Sequence, residues 1–398
     1  MNRDVLPSPL MTSEPGSFAR KTIVARKPQI LREVSQAHPY PPNIQDALAA
    51  FAHEIVAEPI RPLQEDALDV ALWNGVWAAF RGRTWLDVPW YFAETFFYRR
   101  LMEAVRFYQP GPWQNVDPFA PQKVAELERA LPSFALAMDR SFSDRQTAFT
   151  AMMRDALWGN RADLSNRTIS ATAGEGLTAD GWQRLLIDDS PRIWAYMADR
   201  PLDRVDVIAD NSGLELLLDL RLADFLLKAE LAHQVRFHLK RMPFFVSDAM
   251  VRDLRHTLDR LRSWPPHGLE PAVRLEQALA SGRLTLGDDR FWSTCFSYHQ
   301  IPLSVRQELS ASSLVLLKGD VNYRRLLDDR HWPHTAHLAD IAATFPAPFV
   351  ALRTLKGELI VDLEPGQAEA LSAVDPTWMI NGQRGVIQFV DAVKSGGR

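Results

Sequence analysis

The stretch 205-VDVIADNSGLELLLDL-220 reads as a buried strand running straight into a buried helix. Its apolar run does not alternate, as expected of a strand covered on both faces. At the junction stand Asp210, Asn211, Ser212 and Gly213. Ser212 with Glu215 three residues on has the pattern of a capping box, and Gly213 permits a close backbone turn. Working outward, short β-branched or aliphatic runs recur at 206–209, 244–246, 313–317, 348–352, 358–363 and 385–390, with helical stretches between the first four. Strands that alternate with helices predict a mostly parallel sheet. Upstream, from about 42 to 185, apolar residues recur at helical spacing and strand signals are scarce. The fold class is therefore α/β: a helical N-terminal region followed by an α/β sandwich with a mostly parallel central sheet. The expected division is a disordered leader over 1–20, a helical domain over 21–185 and an α/β domain over 186–398.

Composition narrows the function. A chain of 398 residues with a net charge of −4 has no general electrostatic attraction for nucleic acid or an anionic membrane. Any anion must be held by a local cluster. The single cysteine, Cys295, rules out an intrachain disulfide and a cysteine-based zinc site, and fits a reducing cytoplasm. The N-terminus lacks an apolar core of signal-peptide length, and no apolar run is long enough to span a membrane. Gly-Lys-Ser/Thr phosphate loops, Gly-x-Ser-x-Gly elbows and Gly-x-Gly-x-x-Gly turns are missing.

In an open α/β sheet the ligand crevice lies beyond the carboxyl ends of the strands. Those ends carry Asp210-Asn211, Ser247-Asp248, Lys318-Gly319-Asp320 followed by Asn322, Tyr323 and Arg324, and Arg353-Thr354-Leu355-Lys356. Oxygen donors without cysteine or paired histidine suit a hard divalent ion, Mg²⁺ or Mn²⁺. Asp210, Asn211 and Asp248 could hold three of its positions. Lys356 and Arg353 could neutralise a phosphate, and Asp320 could position or deprotonate a water. The plainer reading of each piece alone is helix capping for Asp210, Asn211 and Asp248, and solvated surface charge for Arg353 and Lys356. Their joint placement at strand ends favours phosphoryl transfer to water.

The segments DNSGLEL, FFVSDA, LLKGDVNYRRL and RTLK occur in the order found in the damage-control phosphatases, formerly a domain of unknown function. The chain resembles the branch with an Arg-Thr-Xaa-Lys motif, which includes the acidic-residue methyltransferase-like proteins. TWLDVPWYFAETFFYRRL and LWGNRADLS also look like that family, so the resemblance runs from about 40 to 390. It implies an α/β/α domain and a metal-dependent phosphatase acting on sugar phosphates such as fructose 1-phosphate and fructose 6-phosphate. It implies metal ligation by Asp210, Asn211 and Asp248; the expected ion is Mg²⁺ or Mn²⁺, with Co²⁺ or Ni²⁺ also admissible. It places Gly319, Asp320, Asn322, Tyr323, Arg324, Arg353, Thr354 and Lys356 in the site, and adds Glu94, Arg99, Asn160 and Asp163 from the N-terminal half.

Two other functions stand beside this one. Methyl transfer from S-adenosylmethionine to protein glutamate is attributed to part of the family, but the glycine-rich first turn it would use is missing. A non-catalytic binding module would keep the cations and lose a metal ligand or Asp320. The expected partner is a small phosphorylated metabolite, with no nucleic acid and no membrane. His331, His334 and His337 are read as a loop and cap feature, His233 and His238 as packing or pairing, and Trp73, Trp77, Trp85 and Trp90 as core, with a pocket role open for Trp85 and Trp90.

Overall fold

A computed structural model describes residues 6–159, 184–198 and 201–391. The described residues form a seven-stranded sheet in the order β1-β7-β6-β5-β2-β3-β4. Its strands are β1 (Leu185–Asp188), β2 (Leu202–Ile208), β3 (Ala232–His238), β4 (Leu284–Gly287), β5 (Leu314–Lys318), β6 (Phe349–Thr354) and β7 (Gly385–Val390). β2 to β6 run parallel, β7 lies antiparallel to β6, and β1 is parallel to β7. From β2 the chain moves outward through β3 to β4, then returns to the other side of β2 for β5 and β6. The topological switch point therefore lies between β2 and β5, which pair through Val207 with Leu316 and Ile208 with Leu317.

Burial on both faces explains the unbroken apolar run of β5 up to Lys318. In β5, Leu314 and Leu316 enter one core while Val315 and Leu317 enter the other. The first core is covered by α7 (Arg145–Gly159), α8 (Ser190–Ala198), α9 (Leu214–Lys228), α10 (Val251–Arg262) and α11 (Leu269–Ala280). The second lies under α12 (Leu303–Ser310), α13 (Gly319–Leu326), α14 (Leu338–Ile341) and α15 (Gln367–Val374). The helix α7 precedes the expected boundary near 185, yet its Phe149, Met153, Leu157 and Trp158 pack in the core of the sheet.

A third core lies among the N-terminal helices α2 (Lys27–Ala37), α3 (Pro42–Ala57), α4 (Val70–Trp77) and α5 (Trp90–Ala104). The middle of α5 is buried on every side from Trp90 to Met102, so its charged residues have to find partners inside the protein. α6 (Ala120–Met138) bridges this region to α9 through Leu127, Leu131, Leu214 and Leu218.

Four expectations are corrected. The run 244–246 is not a strand. Phe245 and Val246 have φ of 48° and 68°, and the segment plugs the N-terminal core, with the Phe245 ring 5.1 Å from that of Tyr98. An apolar plug and a buried strand look alike in sequence. The run 358–363 is a buried loop, turned at Asp362 (φ 65°), with Leu359, Ile360 and Val361 inserted beneath the sheet. The strands β1, β3 and β4 had no apolar run to mark them. β3 carries His233, Gln234 and Arg236, and β1 and β4 are short. The leader is tied down from Leu6 onward. Leu10 is buried, its N–H donates to Asp329 O (2.9 Å), and its carbonyl accepts from Trp90 N (2.8 Å).

Candidate active site

Four strand ends converge at the switch point. β2 ends before Asp210 and Asn211, β3 leads into the loop 239–250 with Asp248, β5 ends before Gly319 and Asp320, and β6 ends before Lys356. Asp210, Asn211, Asp248, Asp320 and Lys356 line one cleft of about 40 Å³. Its far side is built by Glu94 and Trp90 from α5, Phe245 and Val321, and by Phe18 and Arg26 from the N-terminal segment.

The acidic pair is held by backbone. Asn211 and Asp248 form an antiparallel bridge, Ser212 N donates to Ser247 O (2.7 Å), and Ala249 N donates to Asp210 O (2.7 Å). The Asn211 amide is fixed on both ends. Its Nδ2 donates to Asp210 Oδ2 (3.0 Å) and Glu215 Oε2 (2.8 Å), while its Oδ1 accepts from Ser247 Oγ (2.6 Å). Glu215 thus serves Asn211, not a capping box, and α9 has Gly213 (φ 70°) at its N-cap, without a side-chain cap. Nor does Asp248 cap α10, whose N-cap is Met250, with Asp253 accepting from Met250 N.

Buried cations compensate the carboxylates. Lys240 Nζ lies 3.0 Å from Asp248 Oδ2 and donates to Ala209 O (3.1 Å). Lys318 Nζ lies 3.0 Å from Glu215 and 3.1 Å from Asp219, and also reaches Ala156 O. Burial pushes the Asp210 carboxyl well up, with Glu215 and Asp248 adding to it and Lys240 and Lys356 opposing. Asp320 goes the other way. Burial alone would raise its pKa, but the guanidinium charges of Arg324 and Arg353 hold it well below the usual carboxylate range. Arg353 Nε meets Oδ1 at 2.7 Å and Arg324 Nε meets Oδ2 at 2.6 Å. A carboxylate so held is a poor proton acceptor and a good hydrogen-bond acceptor for water.

The donors meet the requirements of a hard divalent ion. Asp210, Asn211 and Asp248 offer oxygen only, on a fixed backbone, in a water-sized cleft. Two carboxylates and an amide make up this set. Among the described residues, no group of three or more His, Cys, Asp or Glu side chains is gathered to hold an ion. Gly319 sets the spacing across the switch point. A Cβ there would lie 1.8 Å from Asp210 Oδ2, and its φ of 79° disfavours any side chain. Gly319→Ala is expected to cost about 1–3 kcal/mol of stability and to displace Asp210; urea denaturation at neutral pH checks the first and the divalent-ion affinity the second.

Several candidate residues are not brought to the cleft. Arg99, on α5, lies buried among Asp69 (2.7 Å), Glu65 (2.6 Å) and the ring of Tyr108. Asn322 Nδ2 donates to Ile208 O (3.3 Å) and Lys318 O (2.8 Å), tying the ends of β2 and β5 together. Tyr323 accepts from Val361 N and lies under the Arg353 guanidinium. Arg353 also donates to the carbonyls of Leu359 and Gly357, and Arg324 pairs with Asp329 and stacks 4.0 Å over Trp90. Thr354 is buried within β6. Asn160 and Asp163 fall outside the described residues. Trp90 lines the cleft, whereas Trp85 is buried and donates to Glu54 (3.2 Å). His331, His334 and His337 each face a different partner, Glu14, Ile360 O and Asp362.

Sequence reasoning missed Phe18, Arg26, Lys240, Phe245 and Val321. Lys240 would have been found had β3 been recognised, because it stands two residues beyond that strand's end. Arg324 had a readable signal for its partner, since it follows Asp320 by four residues on a helix.

The architecture and cleft define an α/β/α protein with a carboxylate-rich site at its switch point. The family model of the damage-control phosphatase ARMT1-like domain matches residues 12–371, and the chain belongs to that family. It is 33% identical to the damage-control phosphatase ARMT1 of Mus musculus, across 96% of this chain and 98% of that protein. Identity to the protein of the same name in Danio rerio is 30%, across 96% and 97%. The crystal structure of a DUF89 family protein from Pyrococcus horikoshii shares the fold, with a TM-score of 0.52 at 15% identity over 93% of this chain and 97% of that one. No helix of the described residues is long and apolar enough to cross a membrane.

Proposed function

We propose that this protein is a metal-dependent phosphomonoesterase acting on sugar phosphates, fructose 1-phosphate and fructose 6-phosphate among them, in a damage-control role in the cytoplasm. The observation that carries the reading is the meeting of Asp210, Asn211, Asp248, Asp320 and Lys356 in one cleft at the switch point of a family sheet. Asp210, Asn211 and Asp248 are the proposed ligands of Mg²⁺ or Mn²⁺. That ion would supply polarisation of the phosphoryl oxygens and charge neutralisation. Lys356 adds a fixed positive charge opposite the carboxylates. Asp320, ionised and clamped by two guanidiniums, accepts a hydrogen bond from the attacking water and orients it. The water oxygen bonds to phosphorus as the ester P–O bond breaks, and one proton of that water ends on the departing sugar oxygen, so that orthophosphate and the free sugar hydroxyl are released. Arg324, Arg353, Lys240 and Asn322 act as positioning residues behind these groups.

The test is a screen of phosphorylated sugars against Mg²⁺, Mn²⁺, Co²⁺ and Ni²⁺ after dialysis with chelator. Release of orthophosphate from hexose phosphates, lost with chelator and restored by metal, is the expected result. Absence of release with every metal and every ester sinks the reading. Calorimetry with S-adenosylmethionine on the same preparation tests methyl transfer, and no binding is expected.

A further inference from the structure

We propose that Arg26 is the guanidinium that recognises the phosphate in this cleft, carried there by the N-terminal segment; this deepens the phosphatase reading and rests on it. Two of the motif cations that a phosphate would have met are engaged away from the cleft. Arg353 is held by Asp320 and two carbonyls, and Arg324 by Asp320 and Asp329, with its Nη2 turned toward Gly357. Neither lines the cleft, whereas Arg26 does. Its Nε is buried without a hydrogen-bond partner, and no ion pair is made by Arg26 among the described residues. A buried, unsatisfied N–H is costly, and a phosphate oxygen would satisfy it. The planar guanidinium also matches two phosphate oxygens at once, which the Lys356 ammonium cannot do.

The local structure aims Arg26 inward. It closes the π-helical turn Thr22–Arg26, between α1 (Phe18–Lys21) and α2. The next residue, Lys27, is locked: it pairs with Glu94 and lies 4.5 Å from the ring centres of both Phe97 and Tyr98. The segment is pinned further by Phe18 N donating to Glu358 (3.3 Å). Wide helical turns of this type are frequent where a side chain is re-aimed at a site. The cleft is partly open to solvent, and its 40 Å³ holds about one water.

Equilibrium dialysis with radiolabelled orthophosphate, on the intact manganese-loaded protein, tests this together with kcat and KM for the best ester. Arg26→Ala is expected to weaken orthophosphate binding and raise KM by about tenfold or more, with a smaller fall in kcat. Arg26→Lys, keeping charge without the fork, falls between. Should R26A melt early, Arg26→Gln keeps the stem and carries the same comparison. Orthophosphate binding by R26A or R26Q equal to that of the unaltered protein overturns the proposal, as does an unaltered protein that binds no orthophosphate. If the unaltered protein hydrolyses no ester but binds orthophosphate through Arg26, the phosphatase reading fails and the anion site stands.

Discussion

Asp248→Ala is expected to abolish ester hydrolysis, with kcat falling on the order of 10³-fold or more, because on the proposed assignment loss of this ligand forfeits about 4 kcal/mol of charge stabilisation at the phosphoryl group. The loop survives the change because its anchors are main-chain groups. Asp248 N donates to Phe244 O (3.2 Å), Asp248 O accepts from Lys123 Nζ (2.8 Å), and the bridge to Asn211 is backbone as well. Lys240 is affected, since its buried ammonium keeps the Ala209 carbonyl and loses its carboxylate. Asp248→Asn therefore belongs beside it, since the amide keeps the shape of the side chain and removes only its charge. Both variants are expected to lose high-affinity Mn²⁺ binding, read by electron paramagnetic resonance of free Mn²⁺, while retaining the far-ultraviolet dichroism of the unaltered protein. A D248A enzyme that turns over sugar phosphates at the normal rate overturns the ligand assignment.

How far this site could be read without coordinates depends on what kind of partner each residue has. Asp320 follows β5, whose apolar run is continuous because both sheet faces are covered, and Asp210 and Asn211 follow β2, which still ends in the apolar Val207 and Ile208 after buried Asp206, so the rule of strand ends points at all three. Asp248 was reached although the run before it is no strand. Phe244, Phe245 and Val246 are apolar because they plug the helical core, and the bridge to Asn211 returns the chain to the strand ends just in time. The role of Arg353 was misjudged for a different reason. A cation at a strand end can face a ligand or a carboxylate, and spacing does not say which. Phe18 and Arg26 were beyond reach altogether, because their cleft partners lie up to several hundred residues away, and Phe18 also falls in the Pro- and Ser-containing leader, which has the composition of a loose tail.

Asp320→Asn is expected to damage stability and catalysis together, and acid separates the two effects. The carboxylate is shared by two guanidiniums whose side chains are fully buried, and an amide can accept from one of them only as a neutral group. Breaking a buried pair on one side costs about 3–5 kcal/mol. The lower end is expected here, because Arg324 keeps Asp329 and Arg353 keeps the carbonyls of Leu359 and Gly357. Asp320 is depressed in the folded state, so its contribution to stability is fully present above the unfolded carboxyl value of roughly 4 and is lost as pH falls toward the folded one. Urea denaturation should therefore show a gap between the unaltered protein and D320N of about 3 kcal/mol at pH 7 that narrows below about pH 4. A gap that stays constant as the medium turns acid would mean that the ion pairs do not stabilise the fold. Hydrolysis by D320N at neutral pH should drop about 10²-fold or more, because the ionised group proposed to orient water is gone while the pH optimum owes nothing to its titration. The rate of the unaltered enzyme should show no limb attributable to Asp320 anywhere above pH 4, since a carboxyl held that low is already ionised throughout.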